Sequence, residues 1–112
     1  MRTTRTKIKK EIAEAVILRA GGYCEKCGKV LHDYALHHRK LKSRGGKDSV
    51  SNLMVLHNEC HNLGTMSVHM TPELSTKRGH MVSSWDNPED VPVLMADGEL
   101  YYFKENGDKE KA

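Results

Sequence analysis

Cys24 and Cys27 are separated by two residues in the string Tyr23-Cys24-Glu25-Lys26-Cys27-Gly28, and His57-Asn58-Glu59-Cys60 repeats that gap further along the chain. Two thiolates so spaced can grip one ion from a tight turn, and a second pair with the same gap completes a tetrahedron. Cys24, Cys27, His57 and Cys60 therefore read as a closed Cys3His site of the structural kind, with Zn2+ the expected occupant. The set uses all three cysteines of the chain. A thioredoxin-like redox pair would need a βαβ context that the flanking residues do not supply. Three cysteines cannot all pair as disulfides within one chain, and the string MRTTRTKIKKE lacks the apolar stretch of a secretory signal. A cytoplasmic setting is expected, where thiols stay reduced and closely spaced cysteines hold metal.

Four further histidines, His37, His38, His61 and His69, could do a different kind of chemistry. A His-His pair on a strand sends its rings to opposite faces, so one can bind an ion while the other reaches a substrate. His61 directly follows Cys60 and is positioned by the knuckle. An ion held by only two or three side chains keeps open positions, which belong to catalysis rather than scaffolding. His32 and His80 have no place in this set and read as exposed histidines. Trp85 reads as a core or tail-packing residue rather than a base-stacking platform.

These residues need elements to place them. A helix is expected over residues 6–20, with Ile8, Ile12, Ala15 and Val16 on one stripe and Gly21-Gly22 as its stop. Residues 30–38 should contain a short strand ending at His37-His38. Residues 39–51 are polar, contain Gly45-Gly46, and read as a loop. Leu53-Met54-Val55-Leu56 has strand length, with Leu53 and Val55 as core positions, and residues 58–63 could open a short helix. Thr71-Pro72 marks a helix start with Thr71 as N-cap, and Gly79 its end. Asp97-Gly98 between two apolar strings suggests a hairpin, and residues 105–112 read as frayed. The expected fold class is α+β: one small domain over 1–112, with a core of about 20–70, an extension over 71–104 and the frayed tail. With 112 residues and six aromatics the core is modest, and a metal would reinforce it. No apolar run approaches the ~20 residues of a membrane span. Residues 1–47 carry 13 Lys/Arg against 4 Asp/Glu, 13 − 4 = +9, while residues 48–112 carry 5 against 11, 5 − 11 = −6. Such asymmetry fits one half that faces a polyanion.

Cys24-x2-Cys27, Leu36-His37-His38-Arg39, Gly45-Gly46, Asn52-Leu53 and His57-x2-Cys60-His61-Asn62 together resemble the HNH endonuclease family. That family pairs a Cys-x2-Cys with an apolar residue before Asp-His or His-His, an Asn-Leu, and a Cys-x2-Cys-His. His61 lies nine residues after Asn52, as the pattern expects. Two departures stand out. His57 replaces the usual Cys, which imidazole can do. The position of a third metal-binding histidine is Thr65, with His69 four residues later and Gly64 available to bend the chain back. Residues 68–95 look like the tail of small HNH proteins of phages and prophages.

The resemblance implies a ββα-metal core and a metal-dependent DNA endonuclease. His38 would be the general base, Asn52 the loop residue that orients it, and His37 and His61 ligands of one catalytic divalent ion (Mg2+, Mn2+, Ni2+ or Zn2+), with His69 the third. Arg39, Lys40, Lys42, Arg44 and Lys47 would bind DNA phosphates, with Lys7, Lys9 and Lys10 extending the surface. Phosphate contacts imply little sequence preference. The expected partner is DNA, with no membrane, acting as a monomer or weak dimer, and in host cytoplasm if phage-encoded. A packaging role with a phage terminase is a further implication. The competing reading is a catalytically silent zinc module that binds DNA or a protein.

Overall fold

The computed structural model describes residues 8–112. The start of the helix expected over 6–20, and Lys7, lie outside the described residues. Helix α1 spans Lys10–Ala20 and stops where Gly21 turns left-handed at φ 65°, a conformation that costs glycine little. Strands β1 (Tyr34–His38) and β2 (Leu53–His57) pair antiparallel, with His37 opposite Met54 and His38 opposite Leu53. A wide π-type helical turn, Glu59–Leu63, follows β2. Helix α2 (Pro72–Lys77) comes next, and β3 (Val93–Leu94), β4 (Leu100–Phe103) and β5 (Lys109–Lys111) form a second antiparallel sheet in that order. The protein is a small α+β domain. Among the described residues no helix is long and apolar enough to cross a membrane.

Every residue of β2 is buried, and the alternation of a strand divides them between two clusters. Leu53 and Val55 pack with Val50 against Val16, Ile8, Ile12 and Ala15 of the α1 side. Met54 and Leu56 face the other way, into Cys24, Val68, Met81, Val93, Met95 and Phe103. The uninterrupted apolar run is thus explained: β2 is covered on both faces. A buried ion pair ties three elements at this centre. Arg19, at the end of α1, grips the Glu25 carboxylate through Nε and Nη2 at 2.9 Å each and donates to the Val50 and Leu53 carbonyls. Glu25 in turn accepts from the Val55 amide.

Arg39 departs from its expected role. It is fully buried and donates to the carbonyls of Gly79, Ser51, Pro88 and Val91 at 2.7–3.0 Å. A guanidinium enclosed by four acceptors cannot reach a phosphate, so Arg39 is not a DNA contact but the clamp between the HNH-like half and the extension. Burial, then the nearby Arg19 charge, draws its pKa down to about 9.

Four other expectations are revised. Residues 105–112 are not frayed: Lys109–Lys111 pair with Tyr101–Phe103 across a turn at Gly107. Trp85 is no packing residue, being 93% exposed. His80 is buried rather than exposed, and its Nε2 donates to the Leu94 carbonyl. Thr71 occupies the N-cap position of α2, yet its hydroxyl donates to the Ser67 carbonyl and does not cap. His80 is enclosed by segments distant in the chain, whereas the last strand and the Thr71 hydroxyl are set by local turns.

Candidate metal centres and active site

The knuckle is built by the turn after α1 and the end of β2. The ligand atoms of Cys24, Cys27, His57 and Cys60 lie within 4.8 Å of one another. His57 Nε2 donates to the Val30 carbonyl at 2.8 Å, which leaves Nδ1 bare beside the Cys27 Sγ at 3.3 Å. The amides of Cys27 and His57 approach the Cys24 sulfur at 3.5 Å. Burial raises the Cys24 thiol pKa, but these amides more than offset it and the net shift is downward. Burial, then the Cys24 sulfur, pushes Cys60 up to about 12. Three sulfurs so crowded cannot all be thiolates without a cation among them, and the donor set suits Zn2+. His32 is exposed, as expected, and stacks on the His57 ring at 4.2 Å.

The second cluster gathers His37 from β1, His61 from the π-type turn and His69 beyond it, again with ligand atoms within 4.8 Å. The return of His69 has a backbone cause. Gly64 donates to the Glu59 carbonyl, and a Cβ there would stand 2.8 Å from that oxygen. Val68 and His69 then donate to the carbonyls of Cys60 and His61. His61 Nε2 and His69 Nε2 face each other at 3.0 Å, close to the ~3.3 Å edge between two nitrogens of a tetrahedral ion. His37 Nε2 donates to the His80 carbonyl at 2.7 Å, while Nδ1 is buried with no partner. A bare, buried imidazole nitrogen beside two others is what an open divalent site requires. Burial, with smaller repulsion from the neighbouring histidines, pulls His37 down to about 3 and lowers His61; burial lowers His69. In all three, burial favours the neutral imidazole, the form that can bind a cation.

His38 stands on the opposite face of β1 and donates from Nε2 to Asp48 Oδ1 at 2.6 Å. Asp48 escaped the sequence reading. Its only signal there was a carboxylate in the loop after the His-His pair. The His38 contact, and then Lys42, hold the Asp48 carboxyl below its ordinary range. Asn52 is buried and cinches the loop: Oδ1 accepts from the Lys40 amide at 2.7 Å, and Nδ2 donates to the carbonyls of Lys40 and Lys47. Gly46 permits this closure, because a Cβ there would fall 1.7 Å from the Lys40 carbonyl oxygen. Asn52 thus acts on His38 through the loop that carries Asp48. Lys42, Arg44 and Lys47 are exposed on that loop, and Lys40 is half-buried with its ammonium on the Asp86 carbonyl at 3.0 Å.

Compared with protein families, residues 24–65 match the model of the HNH endonucleases. Residues 24–65 are thus similar to the HNH endonucleases. The HNH segment takes in both ligand pairs of the knuckle, the β1–β2 hairpin with its cinched loop, and His37, His38, Asn52 and His61; His69 lies just past it. Neither the curated proteins nor the solved structures yielded a significant match. The HNH domain implies a nuclease-like function that uses metal.

Proposed function

We propose that this protein is a metal-dependent endonuclease that hydrolyses DNA phosphodiesters with little sequence preference. The carrying observation is the convergence of His37, His61 and His69 on one point, with the His38–Asp48 pair on the same hairpin. His37, His61 and His69 would hold one divalent ion, leaving open positions. When bound, such an ion neutralises a non-bridging phosphate oxygen and stabilises the departing 3′ oxygen. With Nε2–H given to Asp48, His38 offers Nδ1 as the basic nitrogen, and imidazole is suited to taking a water proton near neutral pH. The water oxygen joins phosphorus, its proton goes to Nδ1, the bond to O3′ breaks, and a solvent water protonates the departing oxygen, leaving 5′-phosphate and 3′-hydroxyl ends. Asn52 holds the loop in place. Lys40, Lys42, Arg44 and Lys47 supply phosphate contacts, which carry no sequence information by themselves.

One constellation per chain supports a monomer that makes one cut per encounter. The reduced thiols that the knuckle needs support a cytoplasmic setting. Packaging work beside a phage terminase would use the same reaction, and its support is the likeness of residues 68–95 alone. Supercoiled plasmid incubated with Mg2+, Mn2+, Ni2+ or Zn2+ tests the reading. Native protein should convert it to nicked circle, and His38→Ala should lose at least ~100-fold in rate with bound zinc unchanged. Full activity in that variant would remove His38 as the base, and inertness of the native protein with every ion would favour the silent zinc module.

A further inference from the structure

Beside the cinched loop lies an open groove of about 520 Å³ lined by Lys40, Lys47, Asn52, Trp85, Asn87 and Glu105; the roles above use the first three and leave Trp85, Asn87 and Glu105 without one. Its size falls within the ~300–1,000 Å³ of small-ligand sites. Trp85 is 93% exposed at its rim, an unusual position for the largest apolar side chain of a small domain. The turn that presents it is braced, not loose: the Trp85 amide donates to Ser83 Oγ, Ser83 donates to Asp86, and the Asp86 carbonyl receives the Lys40 ammonium.

The charges say what fits. Lys40 and Lys47 are offset by Asp86 and Glu105 around the groove, so phosphate charge alone does not select its occupant, and the two lysines stay with the backbone phosphates of a bound strand. A neutral heterocycle suits it better: an indole face for stacking, with Oε1 of Glu105, whose other oxygen accepts from Ser51, and Nδ2 of Asn87, whose oxygen accepts from the Glu89 amide, for ring edges. Lys42 and Arg44 are exposed on the same loop and would meet backbone phosphates of the strand outside the groove. Bases of an intact duplex have both faces covered by their neighbours, so only an unpaired base can stack on an indole from outside. We infer that this groove binds an unpaired nucleobase of the DNA substrate against Trp85, giving the enzyme a preference for DNA that contains single-stranded positions. The inference rests on the proposed DNA substrate and deepens it.

Trp85 is the only tryptophan of the chain, so its emission reports on the groove directly. The zinc-loaded protein, with no second divalent ion added, is titrated with a 12-nucleotide single strand, the same strand annealed to its complement, and a strand of equal length made of abasic units. The single strand should quench the emission saturably, and the duplex and abasic strand should leave it nearly unchanged. By anisotropy of a dye-labelled single strand, Trp85→Ala should bind about 10-fold more weakly or worse, while Trp85→Phe stays within about threefold of native. Trp85 is exposed, so neither change threatens the fold. Single-strand binding without quenching, equal quenching by the abasic strand, or native affinity in Trp85→Ala would overturn the inference. Quenching is read without cleavage: a plasmid left intact would sink the nuclease reading and spare the groove, whereas cutting without quenching would do the reverse.

Discussion

An imidazole has two nitrogens, and what one is bonded to decides what the other can do. At His37, His38 and His57 the Nε2 donates to an acceptor, the His80 carbonyl, Asp48 and the Val30 carbonyl respectively, so Nδ1 is left with its lone pair. In the proposed reaction Asp48 would act through His38, the imidazole it orients. Asp48→Asn should slow plasmid cleavage by about 10- to 100-fold, the usual effect of losing an orienting partner, with the Michaelis constant little changed; equal loss of both would point to a structural defect. His80 follows the same logic without a metal cluster to serve. Its Nε2 donates to Leu94, its Nδ1 is buried without a partner, and burial lowers its pKa from 6.5 to about 4. The unfolded chain thus takes a proton below about 6.5 that the folded chain refuses until about 4. Stability present above pH 6.5 should fall by about 3 kcal/mol as pH drops towards 4. Urea unfolding of the native protein and His80→Gln at pH 7 and pH 4.5 checks this: the variant should lose the share due to His80, while the share from His37, lowered to about 3, remains in both.

Between elements, two arginines on the apolar layers do opposite work from the lysines outside. Arg19 ties α1 to the knuckle turn and β2, and Phe103 lies under its guanidinium at 3.6 Å from the ring centre. Arg39 joins the HNH hairpin to the extension. Arg39→Met should destabilise the protein by about 3–5 kcal/mol, since four buried carbonyls lose their donor. Lys47→Ala should leave unfolding unchanged, weaken DNA binding, and reduce the slope of log affinity against log salt by about 1. Denaturation curves beside salt titrations of DNA binding separate the two, and a normal unfolding midpoint for Arg39→Met would contradict the clamp. This contrast also marks a limit of reading the chain linearly. Arg39, Lys40, Lys42, Arg44 and Lys47 look alike as a basic run, and only the extension folding over Arg39 takes it out of contact with solvent.

At the scale of the molecule the proposed cations have separable duties. The knuckle joins the turn after α1 to the end of β2, and the Cys24 side chain is itself part of the larger apolar cluster. Chelating its zinc under reducing conditions should collapse helical circular dichroism cooperatively, because ligand binding and folding are one equilibrium. Removing the second ion should abolish cleavage yet leave that spectrum in place, and re-adding it should restore the rate. Loss of zinc with no change in the thermal transition would show that the apolar clusters hold the fold alone.

Spacing along the chain was enough to determine the Cys3His set, the opposite aim of His37 and His38, and the α+β order of helix, hairpin and turn. Ligand gaps, strand alternation and glycine stops are local properties, written within a few residues of where they act. The tertiary structure alone decided that Asp48 orients His38, that His69 swings back beside His61, that Arg39 and His80 lie inside and Trp85 outside, and that Lys109–Lys111 add a strand. The burial of Arg39 and His80 depends on which distant segments cover one another, while Asp48, His69 and the last strand depend on how loops and turns bend, and neither leaves a periodicity in the sequence to be read.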